Sequence, residues 1–256
     1  MKTKILLTIL SFVMFIACSK KEDEKPLIKD VYSINKTSVS MNYDGEQKFT
    51  VLKNGTEVPP NNITFTNSNK SVGTIDASGL FKAKRIGETK VIAEVNGNSL
   101  TTDITVVPYS NLCKEPILSF GSNINEIKTK ENRELSGQTT SALLYKGENL
   151  KLRYIMYGFE ANKMNAATLL LENNTIVVEE SVKFLSERYT YLGTTGGFYI
   201  FEGETITVGV GFDSSLGFYA MYLPKTVSGA NNLKALKSKI ESSFTNLKIN
   251  NPGIKL

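Results

Sequence analysis

The chain has 256 residues, 41% of them apolar, with 30 Lys and Arg against 25 Asp and Glu. That length permits two ordinary domains, and a net charge of +5 scattered along it does not mark a nucleic-acid binder. Histidine and tryptophan are absent, which excludes Ser-His-Asp and Cys-His catalysis, imidazole zinc sites and tryptophan platforms for sugars.

Lys2 and Lys4 precede an apolar run from Ile5 to Ala17 interrupted only by Thr8 and Ser11. A positive start, a short hydrophobic segment and a small residue before the cut read as a secretory signal peptide over residues 1–17. The run is too short to span a bilayer well, and no later stretch approaches the roughly 18–20 apolar residues a span needs. Phe15-Ile16-Ala17-Cys18 resembles the lipobox of bacterial lipoproteins. The resemblance implies that Cys18 is diacylated and becomes the new N-terminus. A soluble protein cut nearby and an uncleaved anchor are the alternatives.

Residues 18–27 are short and charged, and are expected to act as a solvated, lipidated tether. The run Glu22-Asp23-Glu24 behind Lys21 resembles the surface-export signal of Bacteroidetes lipoproteins. That implies a place on the outer face of the outer membrane, with a periplasm-facing anchor as the alternative. With Cys18 taken by lipid, Cys113 is the one remaining thiol. It reads as a small buried side chain rather than a reactive group.

Residues 28–108 form the first expected domain. Apolar and β-branched clusters at Ser38–Met41, Lys48–Leu52, Ile63–Phe65, Leu80–Ala83, Thr89–Val95 and Thr102–Val107 alternate with Asp-Gly, Asn-Gly and Ser-Gly turns. Many short strands at this spacing indicate an all-β sandwich. Phe65-Thr66-Asn67-Ser68, Val72-Gly73-Thr74-Ile75-Asp76, Gly79-Leu80-Phe81-Lys82-Ala83 and Gly87-Glu88-Thr89-Lys90-Val91 follow in order. This series resembles the bacterial immunoglobulin-like domain, group 2. The resemblance implies an Ig-like sandwich used as a spacer or adhesive module on bacterial surfaces, with no shared catalytic residue.

Around Pro108–Pro116 the periodicity lapses, which predicts a linker with few contacts. Residues 109–256 form the second expected domain. Asn123 with Glu126 three residues on predicts a capped helix start. Strands are expected at Thr139–Tyr145, Leu150–Phe159 and Ala166–Leu171, with a hairpin turn at Lys146–Asn149. A helix is expected over Glu179–Leu192, with Val178, Val182, Leu185 and Tyr189 on one face and Gly193 as its stop. Strands at Gly197–Phe201, Thr205–Phe212 and Gly217–Leu223 follow, then a helix over Asn232–Lys248 with Leu233, Leu236, Ile240, Phe244 and Leu247 on one stripe. The expected class is an α+β domain, an antiparallel sheet with helices on one face and a possible internal duplication.

Several features here have bland readings. Gly193–Gly197 lacks the Gly-Lys-Ser/Thr of a phosphate loop. Glu179, Glu180 and Glu187 suit helix-end and surface roles, and the lysines of the last helix a solvated face. Tyr154, Tyr157, Phe159, Phe198, Tyr199, Phe201, Phe218, Tyr219 and Tyr222 occupy both faces of expected strands. One face must be core, and the other either presents tyrosines to a ligand or reflects β-propensity.

The expected function is a non-enzymatic cell-surface lipoprotein, an Ig-like stalk presenting a C-terminal recognition domain for adhesion or partner binding. The alternative is a glycan-binding accessory of a polysaccharide-uptake system. Carboxylate-only glycoside hydrolysis is the one common catalytic route left, and no spacing singles out a pair. Cys18, as a lipidation site, is the only site residue nominated. No catalytic, metal or cofactor residue is nominated. The expected partners are the membrane, through lipid, and a protein or glycan ligand.

Overall fold

The computed structural model describes residues 29–227 and 230–250. The expected signal peptide, Cys18 and the acidic tether lie outside these residues. Among them the chain is mostly β, with 18 strands and three α-helices.

The N-terminal part, residues 32–107, is built from strands in three sheets, with one 3-10 turn at Pro60–Asn62. β2 (Ser38–Asn42), β10 (Asn98–Val107), β9 (Gly87–Val95) and β6 (Thr64–Asn67) make a four-stranded sheet in that order. β2 runs parallel to β10, while the other pairs are antiparallel. Three-stranded sheets of β1 (Tyr32–Ile34), β4 (Val51–Lys53) and β5 (Thr56–Glu57), and of β3 (Glu46–Lys48), β8 (Leu80–Ala83) and β7 (Gly73–Ile75), complete it. Phe49, Phe81, Val91, Ile104 and Val106 pack in its core. In β9 the alternation is clean: Val91, Ala93 and Val95 point inward between more exposed neighbours. The hairpin into β8 needs Gly79. Its φ is +86°, and a Cβ there would lie 2.6 Å from the Phe49 carbonyl oxygen. The Asp76 carboxylate closes the same turn by accepting from the Ser78 and Leu80 amides.

The C-terminal part is one eight-stranded antiparallel sheet. β11 (Leu135–Gln138), β12 (Ala142–Asn149), β13 (Leu152–Glu160) and β14 (Lys163–Leu171) form one meander. β15 (Thr190–Thr195), β16 (Phe198–Glu202), β17 (Ile206–Asp213) and β18 (Gly217–Pro224) form the other. The two join where β14 pairs with β18, so β11 and β15 are the outer edges. Helix α1 (Ile124–Lys130) precedes the first meander and α2 (Thr175–Ser186) the second, while α3 (Ala230–Asn250) ends the described chain.

Helices on one face were expected, and the structure corrects this. Leu143, Ile155, Tyr157, Leu169, Val208 and Tyr222 meet α1, α2 and the segment 112–120 on one side. Leu144, Met156, Leu170, Tyr219 and Met221 meet Leu233, Ile240, Phe244 and Leu247 of α3 on the other. A sheet covered on both faces must be apolar on both, which explains why its strands read as near-continuous hydrophobic runs. Three local expectations also shift. Lys146–Asn149 continues β12 rather than turning. Helix α2 starts at Thr175, capped by the Asn174 side chain accepting from the Val177 amide. It stops at Ser186, and Tyr189–Gly193 leads into and joins β15 instead.

Candidate functional site

Seven of the nine strand aromatics are buried, because α1, α2 and the segment 112–120 cover one face of the sheet and α3 covers the other. Tyr157, Phe198, Tyr219 and Tyr222 are at most 3% exposed, and Phe159, Phe201 and Phe218 are also buried. Burial pushes the Tyr219 hydroxyl up to about 12. Tyr154 is half-buried. Tyr199 alone stands out, at 57% exposed.

Tyr199 sits at the end of the sheet where helix cover runs out. On this face α2 reaches only part of β15–β18, leaving a groove of about 440 Å³. Val178, Val182 and Leu185 of α2 form one wall, and Tyr191, Tyr199, Phe201, Val210 and Phe218 of the sheet form the other. Val182, Tyr191, Tyr199 and the neighbouring Phe212 are all more than half or about half exposed. The Tyr191 ring lies 5.2 Å from that of Phe201, centroid to centroid, so one face is held and the other is open. Polar groups are few. The Ser181 hydroxyl already donates to the Val177 carbonyl, and the Tyr191 hydroxyl lies 3.3 Å from that of Thr194. β15 beside it is an edge strand with no charged side chain.

Ser186 and Tyr191 also line a second, polar cleft of about 470 Å³ at the junction with the N-terminal part. Tyr43, Lys70, Ser71, Lys84 and Arg85 approach it from one side, and Tyr189, Thr190 and Tyr191 from the other. The junction is fixed by hydrogen bonds rather than by a loose linker, against the expectation of few contacts. The Ile86 amide donates to the Glu187 carbonyl at 2.9 Å, and Arg85 donates to the Thr190 hydroxyl. The buried Glu187 carboxylate accepts from the amides of Tyr109 and Ser110. Glu180 accepts from the Ser110 hydroxyl and the Asn111 amide at 2.9 and 3.0 Å. Burial opposes its ionisation, but these donors outweigh burial and hold its carboxyl below the usual range. Glu180 and Glu187 are therefore not mere helix-end and surface charges. They clamp the connection between the two parts.

Cys113 packs beside the core of the sheet and is half-buried. Burial, reinforced by Glu148, pushes its thiol up to about 12. Of the α3 lysines, Lys237 pairs with Asp213 and Glu241, and Lys239 with Glu160. Among the described residues no Cys, Asp and Glu cluster is placed to hold a metal ion. No helix among them is long and apolar enough to cross a membrane.

Residues 30–106 match the family model of the bacterial Ig-like domain (group 2). They are a bacterial Ig-like domain. This domain supplies Tyr43, Lys70, Lys84 and Arg85 to the junction cleft. A search of curated proteins finds no match to the chain. Among solved structures the chain is similar to an intimin mutant of EHEC O157:H7, at 15% identity and a TM-score of 0.25. That match covers 43% of this chain and 63% of the intimin chain, under two thirds of its length. It is also similar to domains 5–6 of the S-layer protein SbsC, at 11% identity and a TM-score of 0.27, covering 77% of this chain and 86% of that one. Domains 4–9 of SbsC give the same identity and TM-score over 27% of that chain. Likenesses this distant carry no functional argument.

The exposed pair Tyr191 and Tyr199 was half legible. Tyr199 is among the expected strand aromatics, whereas Tyr191 was assigned to a helix. The strand signal lay in the run Thr190-Tyr191-Leu192 ahead of glycine, rich in β-formers.

Proposed function

We propose that this is an exported, lipid-anchored surface protein whose C-terminal half holds an apolar segment of a protein partner in the groove between α2 and β15–β18, without turning it over. The observation that carries the reading is the groove itself. Folding leaves Val182, Tyr191 and Tyr199 substantially exposed along one groove, where helix cover of the sheet runs out. The groove has few free polar groups, and a sugar needs many, so the groove suits apolar side chains better than a glycan.

Two meanders, each preceded by a helix and meeting at β14–β18, support reading residues 109–256 as a duplicated α+β domain. The lipobox resemblance at Cys18 and the acidic run after it support lipidation and surface display, with the Ig-like domain as a stalk. The absence of histidine supports binding without catalysis.

Two experiments test this. Metabolic labelling with a fatty-acid analogue is expected to mark the protein, and label persisting in Cys18→Ala contradicts the anchor. A photoreactive residue at position 199 is expected to give a discrete cross-linked protein adduct on intact cells. The same residue at exposed Lys163 is the control, and indistinguishable products at the two positions contradict the groove as the partner site.

A further inference from the structure

The junction cleft is chemically unlike the groove beside it. Three cations line it, Lys70, Lys84 and Arg85, and no carboxylate does. The Lys70 and Lys84 ammonium groups have no hydrogen-bond or ion-pair partner among the described residues. Arg85 is steadied by the Thr190 hydroxyl and keeps further N–H donors for a ligand. Ser71, Thr190 and Ser186 add hydroxyls that both donate and accept, and the half-exposed Tyr191 ring adds a flat apolar face.

We propose that this cleft binds an acidic saccharide. Its carboxylate or sulfate would meet Lys70, Lys84 and Arg85, its hydroxyls the serine and threonine hydroxyls, and its apolar ring face Tyr191. A simple anion uses only the cations, and an acidic peptide has no need of the hydroxyls and ring together. A neutral sugar covering the cleft would leave its three positive charges without a counter-charge. The site exists only at the junction, because the cations come from the Ig-like domain and Tyr191 and Thr190 from the C-terminal half. The Ig-like domain is then a recognition element as well as a spacer, and the Ile86–Glu187 hydrogen bond holds the two walls together.

The test is calorimetry on the full chain with four probes. These are trigalacturonic acid, a sulfated galacto-oligosaccharide, neutral galactotriose and a hexaglutamate peptide. One or both acidic saccharides are expected to bind, about tenfold or more tighter than galactotriose or hexaglutamate, and to weaken as salt rises. The double variant Lys70→Ala/Lys84→Ala is expected to lose about tenfold in affinity with its thermal unfolding unchanged, since both side chains are exposed. Tyr191→Ala is expected to weaken the saccharide without affecting hexaglutamate. The proposal is overturned if neither acidic saccharide binds, if the double variant binds as well as the parent, or if hexaglutamate binds as tightly as the sugars.

Discussion

The Glu187 carboxylate, buried at the end of α2, accepts a 2.8 Å hydrogen bond from the Tyr109 amide. Its second bonds go to the Ser110 amide at 3.2 Å, and Arg188 lies 3.6 Å away. The Tyr109 hydroxyl meanwhile reaches Asp44 of the Ig-like domain at 3.4 Å. One buried carboxylate thus ties the connecting segment to the sheet domain. Glu187→Ala would strand two backbone donors, and is expected to cost about 2–4 kcal/mol in denaturant unfolding. Glu187→Gln keeps one acceptor oxygen and is expected to cost less. Limited proteolysis should cut within Tyr109–Glu115 in the alanine variant and spare that segment in the parent. Equal cleavage of both would contradict the clamp.

Cys113 supplies a chemical probe of the same segment. With its thiol near 12, roughly one molecule in 10⁴ carries thiolate at pH 8. A thiol reagent is expected to modify it slowly in the folded protein and rapidly after denaturant is added. Fast modification of the folded chain would show that the segment is not packed as described.

The docking of α3 has a pH signature. Lys237, at 2.6 Å, and the Ser215 amide hold the Asp213 carboxyl at about 2. A depressed carboxylate stabilises the fold above its unfolded value near 3.9, and that contribution is lost as pH falls from about 4 towards 2. Because the pair is partly solvated, its contribution should be about 1 kcal/mol. Asp213→Asn is therefore expected to lower stability at pH 7 and to flatten the profile below pH 4. An unchanged slope there would remove the pair from the account.

The elements whose signals are local were legible in the sequence. Asn123 and Glu126 announce α1, and the structure contains both halves of that capping box. The stripe Leu233–Leu236–Ile240–Phe244–Leu247 announces α3. What misled was an element with two apolar faces. Val177, Phe184 and Leu185 turn α2 into the core, while Val178 and Val182 line the groove. The periodicity through Val178, Val182 and Leu185, the last of which touches both core and groove, therefore followed the groove side, and its continuation to Tyr189 ran past the helix end towards β15. The near-continuous apolar runs Ala166–Leu171 and Phe218–Leu223 do signal a sheet covered on both faces, but nothing local in them says that α3 is the second cover. The junction cleft is likewise invisible in sequence, since it joins residues about a hundred positions apart.

Tyrosines in the strands separate core from surface cleanly. Tyr219 is 2% exposed and packs edge-on to Phe198 at 6.5 Å, whereas Tyr199 is 57% exposed. Tyr219→Ala is expected to cost about 3–5 kcal/mol, and Tyr199→Ala about 0.5 kcal/mol or less. Thermal unfolding of the two variants checks this, and a large loss on changing Tyr199 would place it in the core after all.

The central claim is that the folded protein carries an open apolar groove between α2 and β15–β18. The most direct measurement is a fluorescence titration of the native full chain with 1-anilinonaphthalene-8-sulfonate, an apolar reporter, in the parent and in Val182→Glu. Val182 is 53% exposed, so the substitution should leave thermal unfolding unchanged while placing a charge in the groove wall. The account predicts saturable dye binding by the parent and its loss in Val182→Glu. Absence of binding by the native parent, or equal binding by the two proteins, would contradict it.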